Sequence, residues 1–165
     1  MSALFDAASS GATFSPDRVY RYHLWRTWAP GPRLVVIGLN PSTADETVDD
    51  PTIRRCLGFA RSWGLVGLDM LNLFAFRATD PRGLRSAKDP VGPHNIRTLL
   101  QFVGVGAPEL VVLAAWGANT LARPRGVALA RMCPRLVCLA RNADGSPKHP
   151  LYARGDSSYR PWETA

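Results

Sequence analysis

Apolar residues along this chain come in short blocks separated by polar, proline- and glycine-bearing stretches, and the spacing within each block indicates which element it forms. Leu34 to Leu39 is a near-continuous apolar run, the pattern of a strand covered on both faces, and it stops at Asn40-Pro41-Ser42. Asp50 and Pro51 then stand as N-cap and first residue of a helix whose Ile53, Cys56, Leu57, Ala60 and Trp63 fall on one face, with Gly64 as the stop and Arg54, Arg55 and Arg61 off that face. Leu68 to Phe76 predicts a second strand, Pro93 to Val103 a helix, Leu110 to Trp116 a third strand and Leu136 to Ala140 a fourth. Ala118 to Met132 is helical in pattern but interrupted by Pro124 and Gly126. Val19 to Trp28, rich in aromatics, reads as an edge strand or hairpin arm ended by Pro30, Gly31 and Pro32. Residues 1–15 are small and polar without a period and are expected to be a flexible tail, which leaves 16–165 as one domain.

Strands alternating with helices predict βαβ units and a mainly parallel sheet of four strands. A chain of 165 residues suffices for one core. No apolar run reaches the roughly 18 residues of a membrane span, and no signal peptide opens the chain, so the expected location is the cytoplasm with no membrane partner. Cys56, Cys133 and Cys138 are too few for a four-cysteine metal or iron–sulfur site and read as reduced core thiols. Neither a metal nor a cofactor is expected.

Charge adds a partner class. Lys and Arg total 20 against 13 acidic residues, a net charge of +7, and 18 of the 20 are arginine, whose planar fork grips phosphate. A polyanion such as nucleic acid fits this balance, and so does a merely solvated basic surface.

In an open parallel sheet, ligands bind beyond the carboxyl ends of the strands. Those ends deliver Gly38-Leu39-Asn40-Pro41-Ser42, Asn72, Trp116-Gly117-Ala118-Asn119 and Lys148-His149-Pro150-Leu151-Tyr152. In this order, Gly38-x-Asn40-Pro41, Leu71-Asn72, Trp116-Gly117 and His149-Pro150 resemble the motifs of the uracil-DNA glycosylase superfamily, nearest its mismatch-specific branch, over residues 33–152. The resemblance implies a three-layer α/β/α sandwich, monomeric, acting on DNA by cleaving the bond between a deaminated or modified base and its sugar. It makes Asn40 and His149 the catalytic pair: Asn40 positions a water and His149 stabilises the departing base. An amide cannot take up a proton as a carboxylate does, so Asn40 implies a slow hydrolase. Asn72 would read the base edge, within a pocket built from Gly38, Leu39, Pro41, Ser42, Phe74, Trp116, Gly117 and Asn119. Arg77, Lys148, Leu151 and Tyr152 would contact the strand, Arg77 at a phosphate and Leu151 as an apolar wedge.

The chain departs from that pattern at Ser42, where the family has a pyrimidine-selecting tyrosine or glycine, and at Leu151, where it has serine. It also lacks an aromatic between the first motif and Phe59, so Phe74 or Phe76 is expected to stack on the base. Arg-Tyr-x-Leu-x-Arg, Asn-Pro-Ser-Thr-Ala-Asp, Asp-Pro-Thr, Asn-Leu-Phe-Ala-x-Arg and His-Pro-Leu-Tyr, from Arg21 to Tyr152, look like a bacterial and phage family of uncharacterised function. That likeness groups Ser42, Thr43, Asp45, Asp50, Thr52 and Arg77 in one site. Simpler readings stand beside these: Asn40-Pro41-Ser42 as an ordinary turn, Asn72 as a structural hydrogen bond, and the same fold acting on free nucleotides or only binding them.

Overall fold

A computed structural model describes residues 8–104 and 110–164. Seven strands form one mixed sheet: β1 (Ser9–Phe14), β2 (Arg21–Thr27), β3 (Leu34–Gly38), β4 (Gly67–Asn72), β5 (Val111–Ala114), β6 (Leu136–Cys138) and β7 (Arg160–Pro161), in the spatial order β1-β2-β4-β3-β5-β6-β7. The middle four, β4-β3-β5-β6, are parallel, and β2 and β7 join them antiparallel on either side. The expected four-stranded sheet is therefore the centre of a larger one.

Both faces are covered. Leu34 and Val36 of β3 meet Ile53, Cys56, Phe59 and Ala60 of helix α1 (Pro51–Ser62), whereas Val35 and Ile37 face the layer of α3 (Asn95–Val103) and α4 (Ala122–Met132). That alternation explains the uninterrupted apolar run: odd and even positions each have a helical layer to bury against. A short helix, α2 (Gly83–Ser86), lies in the connection between β4 and α3. The α1 signals act as read, with Asp50 Oδ1 accepting from Ile53 N at 2.9 Å and Gly64 at a φ of +73°.

Two expectations at the N-terminus are corrected. Of the predicted tail, residues 1–7 lie outside the described residues, and Ser9–Phe14 is strand β1. Its small residues answer a packing need, because a Cβ on Gly11 would lie 2.2 Å from the Trp25 ring. β1 is then the edge, and β2 is the second arm of a hairpin with β1, one of its two expected forms, but lies inside the sheet and pairs Leu24 with Met70 of β4. The predicted second strand is also too long: it ends at Asn72, beyond which Leu73 N and Phe74 N bond to Gly38 O and Leu39 O. Asn95 Nδ2 takes up Asn72 O and Leu73 O where the chain turns out of the sheet.

Helix α4 accommodates both of its predicted breakers. Pro124 falls in the first turn, where backbone N–H groups have no intrahelical partner. Gly126 makes room, since a Cβ there would approach Trp116 Cζ2 to 2.6 Å. Gly126→Leu should therefore destabilise the chain by roughly 1–3 kcal/mol through overpacking. Gly58 of α1 has nothing within 4 Å of a built Cβ, so Gly58→Ala should stabilise by about 0.5–1 kcal/mol. Urea unfolding of the two variants checks the opposite signs.

The three cysteines are unpaired and buried, and burial pushes the Cys56 thiol up to about 12. No described helix is long and apolar enough to cross a membrane.

Candidate functional site

The chain runs from β3 through α1 to β4 on one side, then crosses back to β5, so the strand order reverses between β3 and β5. At such a reversal the loops beyond the strand ends splay apart and leave a crevice. Here it is a cavity of about 520 Å³, lined by the loops after β3 and β5, the end of β4 and the 3₁₀ turn Pro150–Tyr152. This volume lies in the roughly 300–1,000 Å³ range of small-molecule sites.

Three predicted residues from distant segments, Asn40, Asn72 and His149, line this one cavity. Gly38, Leu39, Pro41, Ser42, Trp116, Gly117, Asn119, Leu151 and Tyr152 line it too. Phe74, Arg77 and Lys148 do not. Phe74 is buried in the core with the Arg125 guanidinium 5.3 Å above its ring. Arg77 lies over Phe14 and donates to Arg18 O at 3.2 Å, so its fork is held by the protein. Phe76 packs edge-on against Tyr20. Apart from the buried Trp116, the cavity's aromatic is Tyr152, which is 79% exposed at the rim. Thr43, Asp50 and Thr52 join the lining, whereas Asp45 stays outside it, its Oδ1 accepting from Thr47 N and Val48 N within its own loop.

The floor is built by β4 and β2. Asn72 is 2% exposed; its Oδ1 accepts from Arg21 Nη2 at 3.4 Å, and its Nδ2 is buried without a hydrogen-bond partner. A carboxamide can flip, but a guanidinium only donates, so the oxygen must face Arg21 and the NH₂ group faces away. Gly38 leaves space beside it, for a Cβ there would stand 2.8 Å from Nδ2. Only the donor end of Asn72 is thus left without a partner.

Arg21 is the principal residue the sequence reading left out of the site. It is 2% exposed, donates through Nη1 to Ala44 O at 3.0 Å, and leaves Nε unpartnered. A bulge aims it. Pairing slips between Thr13 and Phe14, so that Phe14 opposes Arg21 and Tyr22 is skipped. Tyr22 then packs on His94, and Arg21 swings under the loop after β3. Burial pushes its guanidinium down to about 10, opposed by the charge of Asp50, and it stays cationic at neutral pH. The available signal was an arginine opening a strand rich in aromatics, which burial obliges to find partners.

The walls follow the same logic. Asn40 Nδ2 donates to Ala78 O at 2.8 Å and Pro41 O at 3.1 Å, which orients the amide and leaves Oδ1 without a hydrogen bond from any described residue. His149 Nδ1 accepts from Leu151 N at 3.2 Å. Burial lowers the imidazole pKa from 6.5, with Asp50 opposing. The neutral ring with Nδ1 as acceptor carries its proton on Nε2, so Nε2 is a donor. Gly117, at a φ of +73°, lies against this histidine, and Arg55 of α1 ties the turn down by donating to Pro150 O and Ala153 O. Asn119 Oδ1 accepts from Leu121 N at the entry to α4.

Among the described residues no group of three or more His, Cys, Asp or Glu is placed to hold a metal ion. The cavity therefore combines two fixed donors, one on the floor and one on the wall, with an amide oxygen, one buried cation and one carboxylate. No curated protein and no solved structure matches the chain. Residues 21–151 match the family described as a protein of unknown function, DUF1643, and the chain belongs to that family.

Proposed function

We propose that the cavity holds a nucleobase and that the chain hydrolyses the N-glycosidic bond of a deaminated or modified base, uracil first, in nucleic acid. The observation that carries this reading is the buried, partnerless Nδ2 of Asn72 on the floor of the cavity, a donor that a base carbonyl would satisfy. The chemistry asks for two further things. Negative charge grows on the departing base, and a neutral His149 with Nε2–H supplies a donor that need not give up its proton. Positive charge grows on the sugar while water approaches it, and the free Oδ1 of Asn40 can orient that water as an acceptor, though not as a base. Tyr152 offers an exposed ring on which a base can stack at the mouth.

A second reading, the same cleavage on a free nucleoside or nucleotide, is favoured by the charges of the lining. Arg21 and Asp50 are its charged side chains beside the neutral His149, and Arg26, Arg54, Arg55, Arg77 and Arg125 all donate to main-chain carbonyls rather than standing ready for phosphates. Incubating the chain with uracil, hypoxanthine and xanthine in single-stranded and duplex oligomers, and in the corresponding mononucleotides, tests both. Abasic product from an oligomer is expected; release of base from mononucleotides alone selects the second reading, and no release from any substrate overturns both.

A further inference from the structure

We infer that Arg21, which need not touch the base at all, sets which bases the cavity accepts, by holding the Asn72 carboxamide in one of its two orientations. The inference rests on the reading of the cavity as a nucleobase site. An asparagine free to rotate by half a turn would offer either NH₂ or C=O to a ligand and would accommodate a base edge bearing an oxo group or an amino group alike. Asn72 is denied that freedom. Its Oδ1 faces Arg21 Nη2 at 3.4 Å, and the guanidinium is itself fixed by Nη1 on Ala44 O at 3.0 Å and by burial in a bulge of β2. Turning the amide would set NH₂ against a buried cation that has only donors, with no acceptor within the pair.

The floor is consequently biased to donors: the two polar atoms of Arg21 and Asn72 that lack partners, Arg21 Nε and Asn72 Nδ2, both donate. A carbonyl edge satisfies this floor. An exocyclic amine brings another donor to it and leaves Nδ2 and the amine unpaired in a dry place, which is the arrangement that discriminates most strongly between ligands of equal size. Arg21 is a positioning residue in this scheme, and its removal should alter selectivity by a route that simple loss of packing would not.

The test uses binding, so that it is independent of turnover. The native chain is titrated calorimetrically with 2′-deoxyuridine and 2′-deoxycytidine, which differ at the 4-oxo and 4-amino groups, and should prefer the former by roughly tenfold or more. Arg21→Lys keeps a donor-only cation beside Oδ1 and should keep the preference. Arg21→Gln can accept as well as donate, frees the carboxamide to turn, and should bring the two nucleosides to within about threefold of each other. Should Arg21→Gln not fold, the Asn72 side-chain NH₂ resonance of the native chain decides, moving with deoxyuridine and not with deoxycytidine. Equal binding of both nucleosides by the native chain, a preference undiminished in folded Arg21→Gln, or the same NH₂ shift with both overturns the inference. A uridine preference without any cleavage defeats the proposed hydrolase and leaves this inference standing.

Discussion

His149→Leu should bind a uracil-containing oligomer about as tightly as the native chain and turn it over about 10²–10³-fold more slowly, the usual cost of removing one donor aimed at developing negative charge. The leucine cannot replace Nε2–H, while the Arg55 bonds to Pro150 O and Ala153 O that anchor the turn remain. His149→Gln, which keeps an N–H donor, should recover part of that loss. The pH profile separates a chemical role from a structural one. Burial holds the imidazole below 6.5, so the neutral, working form persists through neutrality and the rate should fall only as pH drops below that value; in His149→Gln this acid limb should vanish. Stability carries the same signature. The folded pKa lies below the unfolded one, so as pH falls the unfolded chain takes up the proton first, and stability declines through the window between 6.5 and the lower folded value. Single-turnover rates and urea midpoints measured from pH 5 to 8 check both, and a rate unchanged in His149→Leu would sink the assignment.

The largest effect on stability is expected at Arg26. Its Nε pairs with Asp49 at 2.9 Å, and its two terminal nitrogens donate to the carbonyls of Gly11, Trp25, Asp45, Glu46 and Val48. One buried residue, 8% exposed, thus satisfies three carbonyls and a carboxylate of the loop between β3 and α1 and clamps it to β1 and β2. Arg26→Leu fills the space but strands those carbonyls and leaves Asp49 without its partner, and should cost roughly 3 kcal/mol or more. For a chain of this length that lowers the thermal midpoint by about 2–4 °C per kcal/mol. Because the same loop forms one wall of the cavity, ligand binding should weaken in parallel. Arg18→Ala, which removes a solvent-exposed pair with Glu46, should leave the midpoint unchanged within error. Thermal melts of both variants distinguish a buried clamp from a surface ion pair, and a native-like midpoint for Arg26→Leu would refute the clamp.

Arg21 and Arg26 also account for why so basic a chain displays little basic surface at its cavity. Both are spaced along one strand and turned into the molecule, where they bind the main chain of the loop after β3. These two arginines serve as multi-donor glue for irregular backbone, a use the guanidinium fork suits as well as it suits phosphate.

From sequence alone the parallel centre could be read. Its strands are covered on both faces and so are apolar at nearly every position, Asp69 and Asn72 of β4 being the polar exceptions, and α1 carries its own cap, first-turn proline and terminal glycine, all local signals. The convergence of Asn40, Asn72 and His149 was legible for a related reason, since each stands just past the end of a strand or next to the final turn and parallel topology gathers those ends. Only the tertiary structure decided the rest. β1 has no apolar pattern because its glycine packs beneath Trp25, a partner far along the chain. The place of β2 inside the sheet, and of Phe74 and Arg77 outside the cavity, depends on pairing and on which neighbour claims each side chain. The direction in which Asn72 offers its hydrogen bond depends on a bulge that brings Arg21 beside it, and a bulge is a matter of register between strands, which no local pattern encodes.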